Sequence, residues 1–267
     1  MFNQITGNTK VFGILADPIH HVKAPQGINR LFAENSVDGV MVPMHVKADD
    51  LALFVKALRC MNNFGGCVVT VPHKMPMVAL CDKLTPEARQ VGAVNIVHRT
   101  AAGELIGGIL DGAGFVAGLR KEAFEPTGRS VYLAGAGGAA SAIAFALATC
   151  GITRLTVANR TAAKAQSLID RLQNLFPDVP MVVGNSNASG HDLVINATSL
   201  GLRPDDEMPL DTDSLSPSQH VAEIIMQPAE TSLVLAARER GCRIHLGATM
   251  LSSQLGLMVS FMMGSIA

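Results

Sequence analysis

The chain has 267 residues, of which 48% are hydrophobic and only 16% are charged, and its formal net charge is −1. This composition is typical of one or two well-packed domains and excludes a disordered chain. The near-neutral charge gives no reason to expect a nucleic acid or a membrane surface as a partner.

Cysteine and histidine spacing argues against disulfide and metal frameworks. The five cysteines include no C-x-x-C pair, and the eight histidines show no H-E-x-x-H or other metal-ligand spacing. We therefore expect buried thiols, a reducing cytoplasm and no metal. The N-terminus has no apolar signal-peptide region, and the apolar run 246–266 is interrupted by Ser252, Ser253 and Gln254, which favours a docked helix over a membrane span.

In the first 110 residues, strand-like apolar runs alternate with helical ones. Strands are predicted at 11–15, 39–46, 67–71 and 93–97, and helices at 26–34, 50–61 and 75–82. This alternation is typical of an α/β domain with a mostly parallel sheet and crossover helices. A further helix is predicted from Asp111 to about Lys121, where the second block of the chain begins.

A glycine-rich turn lies between a predicted strand and a predicted helix in the segment SVYLAGAGGAA, residues 130–140. Gly135 permits a tight turn, and Gly137 lets backbone N–H groups approach a pyrophosphate at the helix N-terminus. The residues predicted to form this dinucleotide-binding turn are Gly135, Ala136, Gly137, Gly138 and Ala139.

The strand that follows the glycine turn, at 154–160, indicates which dinucleotide binds. An NAD site usually has a carboxylate here for the ribose hydroxyl, whereas this chain has Asn159, Arg160, Thr161 and Lys164. A guanidinium binds a 2′-phosphate well, so the sequence favours NADP. The alternative is a solvated helix N-cap with surface charges. Strands are predicted again at 181–183, 193–196, 222–226 and 243–246.

Three polar residues lie at positions where a polar side chain suggests a catalytic or binding role. Lys74 follows an apolar strand, Asn95 lies inside an apolar run, and Asp111 lies at the junction of the two blocks. An ammonium and a carboxylate near an alcohol oxygen suit proton transfer and alkoxide stabilisation. Taken singly, Lys74 is better explained as a solvated lysine at the end of a strand and Asp111 as a helix N-cap.

Several motifs together carry a resemblance that spans nearly the whole chain. The sequence resembles the shikimate dehydrogenase family in the order and spacing of six segments, and Met250, Leu251 and Gln254 match its C-terminal helix. The six segments are TVPHK (70–74), VGAVN (91–95), DGAGF (111–115), GAGGA (135–139), NRT (159–161) and NATSLG (196–201). The resemblance implies a substrate-binding domain at 1–110 and 247–267, with a Rossmann-type NADP-binding domain at 111–246.

The resemblance also assigns roles residue by residue. It implies that Lys74 and Asp111 are the catalytic pair and that Thr70, Asn95 and Gln254 bind the substrate. The positions that it adds to the cofactor site are Ala197, Thr198, Ser199, Ile224, Gly247 and Met250.

The chain departs from the family where the family binds the substrate carboxylate. Two serines of the family's first loop are replaced by Val22 and Ala24, and a tyrosine that assists the same carboxylate aligns with Met226. Losing such hydrogen bonds, each worth about 1.5–3 kcal/mol, predicts poor shikimate binding. Lys23, His20 or His21 would compensate only if the loop were rearranged.

The sequence therefore predicts an NADP-dependent oxidoreductase that transfers hydride reversibly between NADPH and the keto form of shikimate or a related cyclic hydroxy compound. The expected partner is a small cyclic polyol or hydroxy acid, and the expected state is a monomer or homodimer. The alternatives are a quinate or shikimate dehydrogenase with weak activity and a catalytically silent NADP-binding regulatory protein. Retention of both Lys74 and Asp111 argues against the silent protein.

Overall fold

Strands and helices alternate along the computed structural model, which describes residues 5–20 and 22–265. The strands are β1 (Lys10–Ala16), β2 (Gly39–His45), β3 (Phe64–Val69), β4 (Lys83–Leu84), β5 (Ile96–Arg99), β6 (Leu105–Gly108), β7 (Ser130–Ala134), β8 (Arg154–Ala158), β9 (Met181–Val183), β10 (Leu193–Asn196), β11 (His220–Glu223) and β12 (Arg243–His245). The α-helices are α1 (Ala24–Glu34), α2 (Leu51–Arg59), α3 (Pro86–Val91), α4 (Asp111–Lys121), α5 (Gly138–Thr149), α6 (Ala162–Gln173), α7 (Ser232–Glu239) and α8 (Gly247–Met262).

The chain divides into two units, of which the first contains the residues up to Leu110 and those from Gln254 onward. The second unit is Asp111–Ser253, so one division falls inside the continuous helix α8. The domain boundary that the resemblance implies lies at 246/247, at the start of that helix, and stays a prediction.

The first unit is built on a six-stranded sheet in the order β2-β1-β3-β5-β6-β4. Strands β1, β2 and β3 are parallel, while β5 is antiparallel to both β3 and β6. Helix α1 buries Ile28 and Phe32, and the Phe32 ring lies 4.9 Å from the ring of Phe12 on β1. The sheet is therefore covered by an apolar helix face, as the alternating sequence pattern predicts.

The C-terminal half of α8 packs within the first unit. Phe261 is buried, and a Cβ at Gly108 would lie 2.7 Å from its ring. Nδ1 of His98 lies 2.8 Å from the carbonyl oxygen of Met262. The docked helix expected from the sequence is present, and no helix among the described residues is long and apolar enough to cross a membrane.

The second unit is a six-stranded parallel sheet in the order β12-β11-β10-β7-β8-β9. The chain moves outward from β7 through β8 to β9 and then returns to the other side of β7 with β10. The strand order thus reverses beside the carboxyl end of β7, which is where open α/β sheets bind ligands.

Several predicted elements have different bounds in the structure. The strand expected at 67–71 ends at Val69, because Pro72 has no N–H group for the ladder. The strand expected at 93–97 begins at Ile96, after a left-handed turn at Gly92, so Asn95 precedes it. The helix expected at 75–82 is a 3-10 helix limited to Pro76–Leu80, since the chain becomes extended at Cys81.

Five strands and α-helices lie in segments for which no element was predicted, namely β4, β6, α3, α6 and α7. The five cysteines are free thiols, but Cys60 is exposed, so the expectation that all the thiols are buried is wrong for that residue. Cys60 is the C-cap of α2, where the helix ends at the surface.

Candidate active site

The loops after β1 and β3 are joined at one end of the first sheet. The N–H of Thr70 donates to the carbonyl oxygen of Leu15 at 3.0 Å, and the N–H of Asp17 donates to that of Val71 at 3.1 Å. Because β1 and β3 are parallel neighbours, their carboxyl ends meet here. This edge therefore carries Thr70 and the turn that leads to Lys74.

The turn that carries Lys74 is anchored by two hydrogen bonds, one from the side chain of the preceding residue and one to the backbone of Lys74 itself. The side chain of His73 is fully buried and its Nε2 atom lies 2.8 Å from the carbonyl oxygen of Val46. The carbonyl oxygen of Lys74 accepts a hydrogen bond from the N–H of Val94 at 2.8 Å. The half-buried Lys74 side chain thus projects from an anchored turn, which suits a group that must be positioned for proton transfer.

Asn95 and Gln254 converge on one residue, Leu110, at the same end of the sheet. Oδ1 of Asn95 accepts from the N–H of Leu110 at 2.8 Å, and Nε2 of Gln254 donates to the carbonyl oxygen of Leu110 at 3.1 Å. Asn95 is 1% exposed and Gln254 is 3% exposed. The backbone of Asn95 also accepts from the N–H of Val69 at 2.8 Å, which ties this group to the end of β3.

The positions of the two missing serines lie at the start of α1, where no side-chain hydroxyl is available. Ala24 is the first residue of α1 and is buried, and the N-cap Lys23 makes no side-chain capping bond. Val22 is half-buried, and His21 lies outside the described residues. The loop after β1 therefore presents apolar groups at the two positions that the resemblance assigns to carboxylate binding.

Asp111 begins the second unit as the first residue of α4 and is only 5% exposed. Helix α4 packs closely on α5, because a Cβ at the neighbouring Gly112 would overlap the carbonyl oxygen of Ala142. The partial positive charge of the N-terminus of α4 stabilises a carboxylate at this position.

The glycine turn has the geometry that a pyrophosphate requires. Gly135 has a φ of +114°, and a Cβ there would lie 2.6 Å from the carbonyl oxygen of Ala197. A Cβ at Gly137 would meet nothing within 4 Å, so the space in front of the turn is open. Gly137 is the N-cap of α5 and offers no capping side chain, which leaves the N–H groups of Gly138 and Ala139 to bind an anion.

Two exposed basic side chains follow β8: Arg160 lies in the turn after the strand, and Lys164 lies in the first turn of α6. The side chain of Asn159 donates to the carbonyl oxygen of Thr161 at 2.9 Å and so shapes the turn into α6. Neither basic residue forms an ion pair with any part of the chain that the structure describes. These side chains fit a phosphate group better than an uncharged ribose hydroxyl.

A buried polar network, which the sequence reasoning missed, supports the turn opposite Gly135. Glu223 is fully buried at the end of β11 and accepts hydrogen bonds from Nδ2 of Asn196 at 2.8 Å and from Oγ1 of Thr231 at 2.9 Å. Oδ1 of Asn196 accepts from the N–H and the hydroxyl of Thr198 at 3.0 and 2.7 Å. Burial raises the pKa of Glu223, and the hydrogen bonds from the N–H of Ile225, from Asn196 and from Thr231 oppose that shift.

This network fixes the backbone of Ala197, Thr198 and Ser199 beside the glycine turn. The sequence signal that could have revealed it is a glutamate inside the apolar run 221–225, since a buried carboxylate requires donors.

The remaining positions that the resemblance assigns to the cofactor site, Ile224, Gly247 and Met250, follow β11 in the chain. A Cβ at Gly247 would lie 2.6 Å from the carbonyl oxygen of Ile224, so the start of α8 lies against the end of β11. Met250 packs into the apolar core of the second unit, and Met226 is half-buried two residues after Ile224.

A parallel doubly wound unit with a glycine turn at its switch point defines a dinucleotide-binding protein. A family model described as the shikimate dehydrogenase substrate binding domain matches residues 14–97, and one described as shikimate / quinate 5-dehydrogenase matches residues 119–202. The chain is 39% identical to the shikimate dehydrogenase (NADP(+)) of Rubrobacter xylanophilus over 94% of this chain and 89% of that protein. The chain belongs to the shikimate dehydrogenase family.

Two solved structures show how far the likeness extends. The ligand-free 5-ketofructose reductase of Gluconobacter sp. strain CHM43 is 32% identical, with a TM-score of 0.84 over 96% of this chain and 93% of that chain. The shikimate 5-dehydrogenase of Thermus thermophilus, in complex with NADP(H) and shikimate, is 28% identical, with a TM-score of 0.86 over 96% of this chain and 94% of that chain.

Proposed function

We propose that this protein is an NADP-dependent oxidoreductase that interconverts a secondary alcohol and a ketone on shikimate or a related cyclic hydroxy compound. The glycine turn with its open N-terminus of α5 carries this proposal, because it fits a pyrophosphate. The names of the relatives support it, since the Rubrobacter enzyme carries NADP(+) in its name and the Thermus structure contains NADP(H). When bound, NADPH would supply the hydride for reduction of the ketone, and NADP+ would accept it in oxidation of the alcohol.

The cofactor residues divide into two groups. Gly135, Ala136, Gly137, Gly138 and Ala139 are proposed to hold the pyrophosphate, and Arg160 with Asn159, Thr161 and Lys164 is proposed to hold the 2′-phosphate. Ala197, Thr198, Ser199, Ile224, Gly247 and Met250 are proposed to complete the cofactor site.

Lys74 and Asp111 are proposed to manage the proton of the reacting hydroxyl. When the alcohol is oxidised, its proton moves to one of these side chains, and an ammonium at Lys74 stabilises the developing alkoxide. In the reverse direction the same group returns the proton to the carbonyl oxygen. Thr70, Asn95 and Gln254 are proposed to bind the substrate hydroxyls.

The apolar loop favours a substrate that does not place a carboxylate beside α1. Val22, Ala24 and Met226 donate no side-chain hydrogen bond, and a carboxylate buried without donors is strongly disfavoured. The 32% identity to a protein named 5-ketofructose reductase supports an uncharged sugar-like ketone or polyol as an alternative to shikimate.

A turnover screen tests these proposals. The purified protein is assayed with NADP+ and with NAD+ against shikimate, quinate and uncharged cyclic polyols, and with NADPH and with NADH against ketoses, with the Lys74→Ala variant as a blank. We expect NADP-linked turnover of at least one compound and faster turnover of an uncharged compound than of shikimate. Tight NADP binding with no turnover across the panel would instead favour a regulatory protein, and efficient shikimate turnover would refute the account of the loop.

A further inference from the structure

Two buried imidazoles and a carboxylate come together in the second unit, outside the residues proposed for substrate and cofactor. Glu122, His220 and His245 each offer one ligand atom, and these three atoms lie within 4.8 Å of one another. No other three histidine, cysteine, aspartate or glutamate side chains are arranged this way within 5–20 and 22–265. The sequence could not show this group because its members come from three separate segments.

The parallel sheet fixes the relative positions of the two histidines. His220 on β11 is paired with Arg243, and His245 on β12 is paired with Ala222, so the two histidines are diagonal neighbours on one face of the sheet. Their ring centroids are 6.4 Å apart. Glu122 follows α4 in a turn whose N–H groups donate hydrogen bonds back to carbonyl oxygens of that helix. The Oε2 atom of Glu122 lies 2.6 Å from Nδ1 of His245.

The imidazoles are buried without a full set of hydrogen-bond partners. Both ring nitrogens of His220 and Nε2 of His245 lack a hydrogen-bond partner among the residues that the structure describes. Their ring neighbours are aromatic, with Phe124 at 4.7 Å from His220 and Phe115 at 5.3 Å from His245. Gly118 leaves room for the His245 ring, since a Cβ there would lie 2.8 Å from its Cε1 atom. Buried polar atoms are almost always satisfied, so these nitrogens require an explanation.

We propose that Glu122, His220 and His245 form a binding site for a divalent transition-metal ion of the zinc type. Two imidazoles and one carboxylate are a ligand set that zinc commonly takes, with a water as the fourth ligand. At the usual metal–ligand lengths of 2.0–2.2 Å, tetrahedral ligand atoms are about 3.3 Å apart, so small side-chain rotations close the site. The Glu122 side chain is 30% exposed, which gives the ion and its water a route from solvent.

The charge state of the cluster suits a cation. An unprotonated imidazole nitrogen offers a metal ion a lone pair, and metal ions bind histidine in this form. Glu122 offsets part of the ion's charge, whereas the exposed Arg243 on the neighbouring strand opposes it. The bound ion would link the segment after α4 to β11 and β12 and so stabilise the second unit.

Equilibrium dialysis of the tag-free protein with Zn²⁺ tests the site, with thermal unfolding as the second readout. We expect one Zn²⁺ per chain and a Tm that rises with Zn²⁺ concentration. Glu122→Gln should weaken binding by at least about tenfold, since even losing a residue that only orients a ligand costs about 10–100-fold. His220→Leu should abolish the rise in Tm with Zn²⁺. Because Glu122 lies at the surface, Glu122→Gln still tests the site if His220→Leu does not fold.

Two matched controls separate this site from other binding. Glu125→Gln alters an exposed glutamate of the same segment, and His191→Gln alters a buried histidine whose ring nitrogens have partners, so both should keep the stoichiometry. Co²⁺ should give ligand-field bands of nitrogen and oxygen ligation without the charge-transfer band of a thiolate. Absence of Zn²⁺ binding, a thiolate band, or undiminished binding in Glu122→Gln would overturn the proposal.

Discussion

The side chain of Asn95 accepts a hydrogen bond from the N–H of Leu110, with 2.8 Å between Oδ1 and the nitrogen. Leu110 immediately precedes Asp111, and its carbonyl oxygen accepts a hydrogen bond from Gln254. Two side chains proposed to bind substrate therefore also satisfy both backbone polar groups of the last residue before α4. Substitutions at either position must be examined for stability as well as for activity.

Asn95→Ala should destabilise the fold, because it leaves the N–H of Leu110 without its side-chain acceptor. The expected loss is about 1–3 kcal/mol in the free energy of unfolding, measured by urea denaturation. The exposed Asn35, whose side chain donates to the carbonyl oxygen of Leu31, is a matched control. A similar loss in Asn35→Ala would contradict the special role of the Asn95 contact.

Lys74→Ala and Asp111→Asn should each lower kcat by about two orders of magnitude or more, the range expected for a positioned proton-transfer group. The affinity for NADP, measured by fluorescence titration, should barely change, since neither residue belongs to the proposed cofactor site. Lys56→Ala, at an exposed position of α2, serves as the control for loss of a lysine. Near-normal turnover in both variants would show that this pair is not used.

Arg160→Ala should weaken NADP binding far more than NAD binding. The guanidinium is proposed to pair with the 2′-phosphate, a charged group that NAD lacks. Calorimetric titration of both cofactors measures the two affinities, and Arg238→Ala, which breaks a surface ion pair with Glu230, is the control. Equal affinity of the unmodified protein for NADP and NAD would contradict this role.

The glycine turn could be predicted because its constraint is local. A positive φ at Gly135 and an exposed helix N-terminus at Gly137 require small residues at fixed spacing, and the sequence shows that spacing directly. Strand β10 was likewise predicted with its observed bounds, since a buried parallel strand forms a short apolar run between turns. The bounds of the edge strand β9 also match its apolar run, although two of its three residues are exposed.

Features that depend on distant partners could not be predicted in the same way. The buried Glu223 accepts one hydrogen bond from the nearby N–H of Ile225, but its other donors, Asn196 and Thr231, come from two other segments. The approach of His220 to His245 depends on the register of two strands more than twenty residues apart in the chain. No local pattern encodes such pairings, so a single sequence leaves them open.

His191 should make stability depend on pH. The ring is buried, with Nε2 at 2.9 Å from Oγ1 of Thr156 and Nδ1 at 3.1 Å from the carbonyl oxygen of Ala188. Burial lowers the pKa of His191, so the folded state prefers the neutral ring. The stabilisation that the neutral His191 ring gives the folded state is complete above the ordinary histidine pKa of about 6.5. It is lost as the pH falls through the lowered pKa of His191.

Urea denaturation of the native protein and of His191→Gln across this pH range measures the effect. The native protein should lose more unfolding free energy on acidification than the variant does. Parallel profiles for the two proteins would show that His191 does not contribute to the pH dependence.

Restoring hydroxyl groups in the loop after β1 should improve the use of shikimate. The double variant Val22→Ser with Ala24→Ser offers two donors where the native loop is apolar, and serine is tolerated at the start of a helix such as α1. Two recovered hydrogen bonds to a charged group are worth on the order of 3 kcal/mol, or about a hundredfold in kcat/KM. Most of the gain should appear in KM, because the carboxylate is bound in the ground state as well as in the transition state.

The same change should harm, or at best leave unaltered, the turnover of an uncharged substrate that fits the apolar loop. Steady-state assays of both proteins with shikimate and with the best compound of the screen measure this exchange of specificity. The Ala33→Ser variant adds a hydroxyl elsewhere on α1 and controls for a general effect on the helix. If the double variant gains nothing toward shikimate, then the loss of hydroxyls at positions 22 and 24 does not determine which substrate this protein accepts.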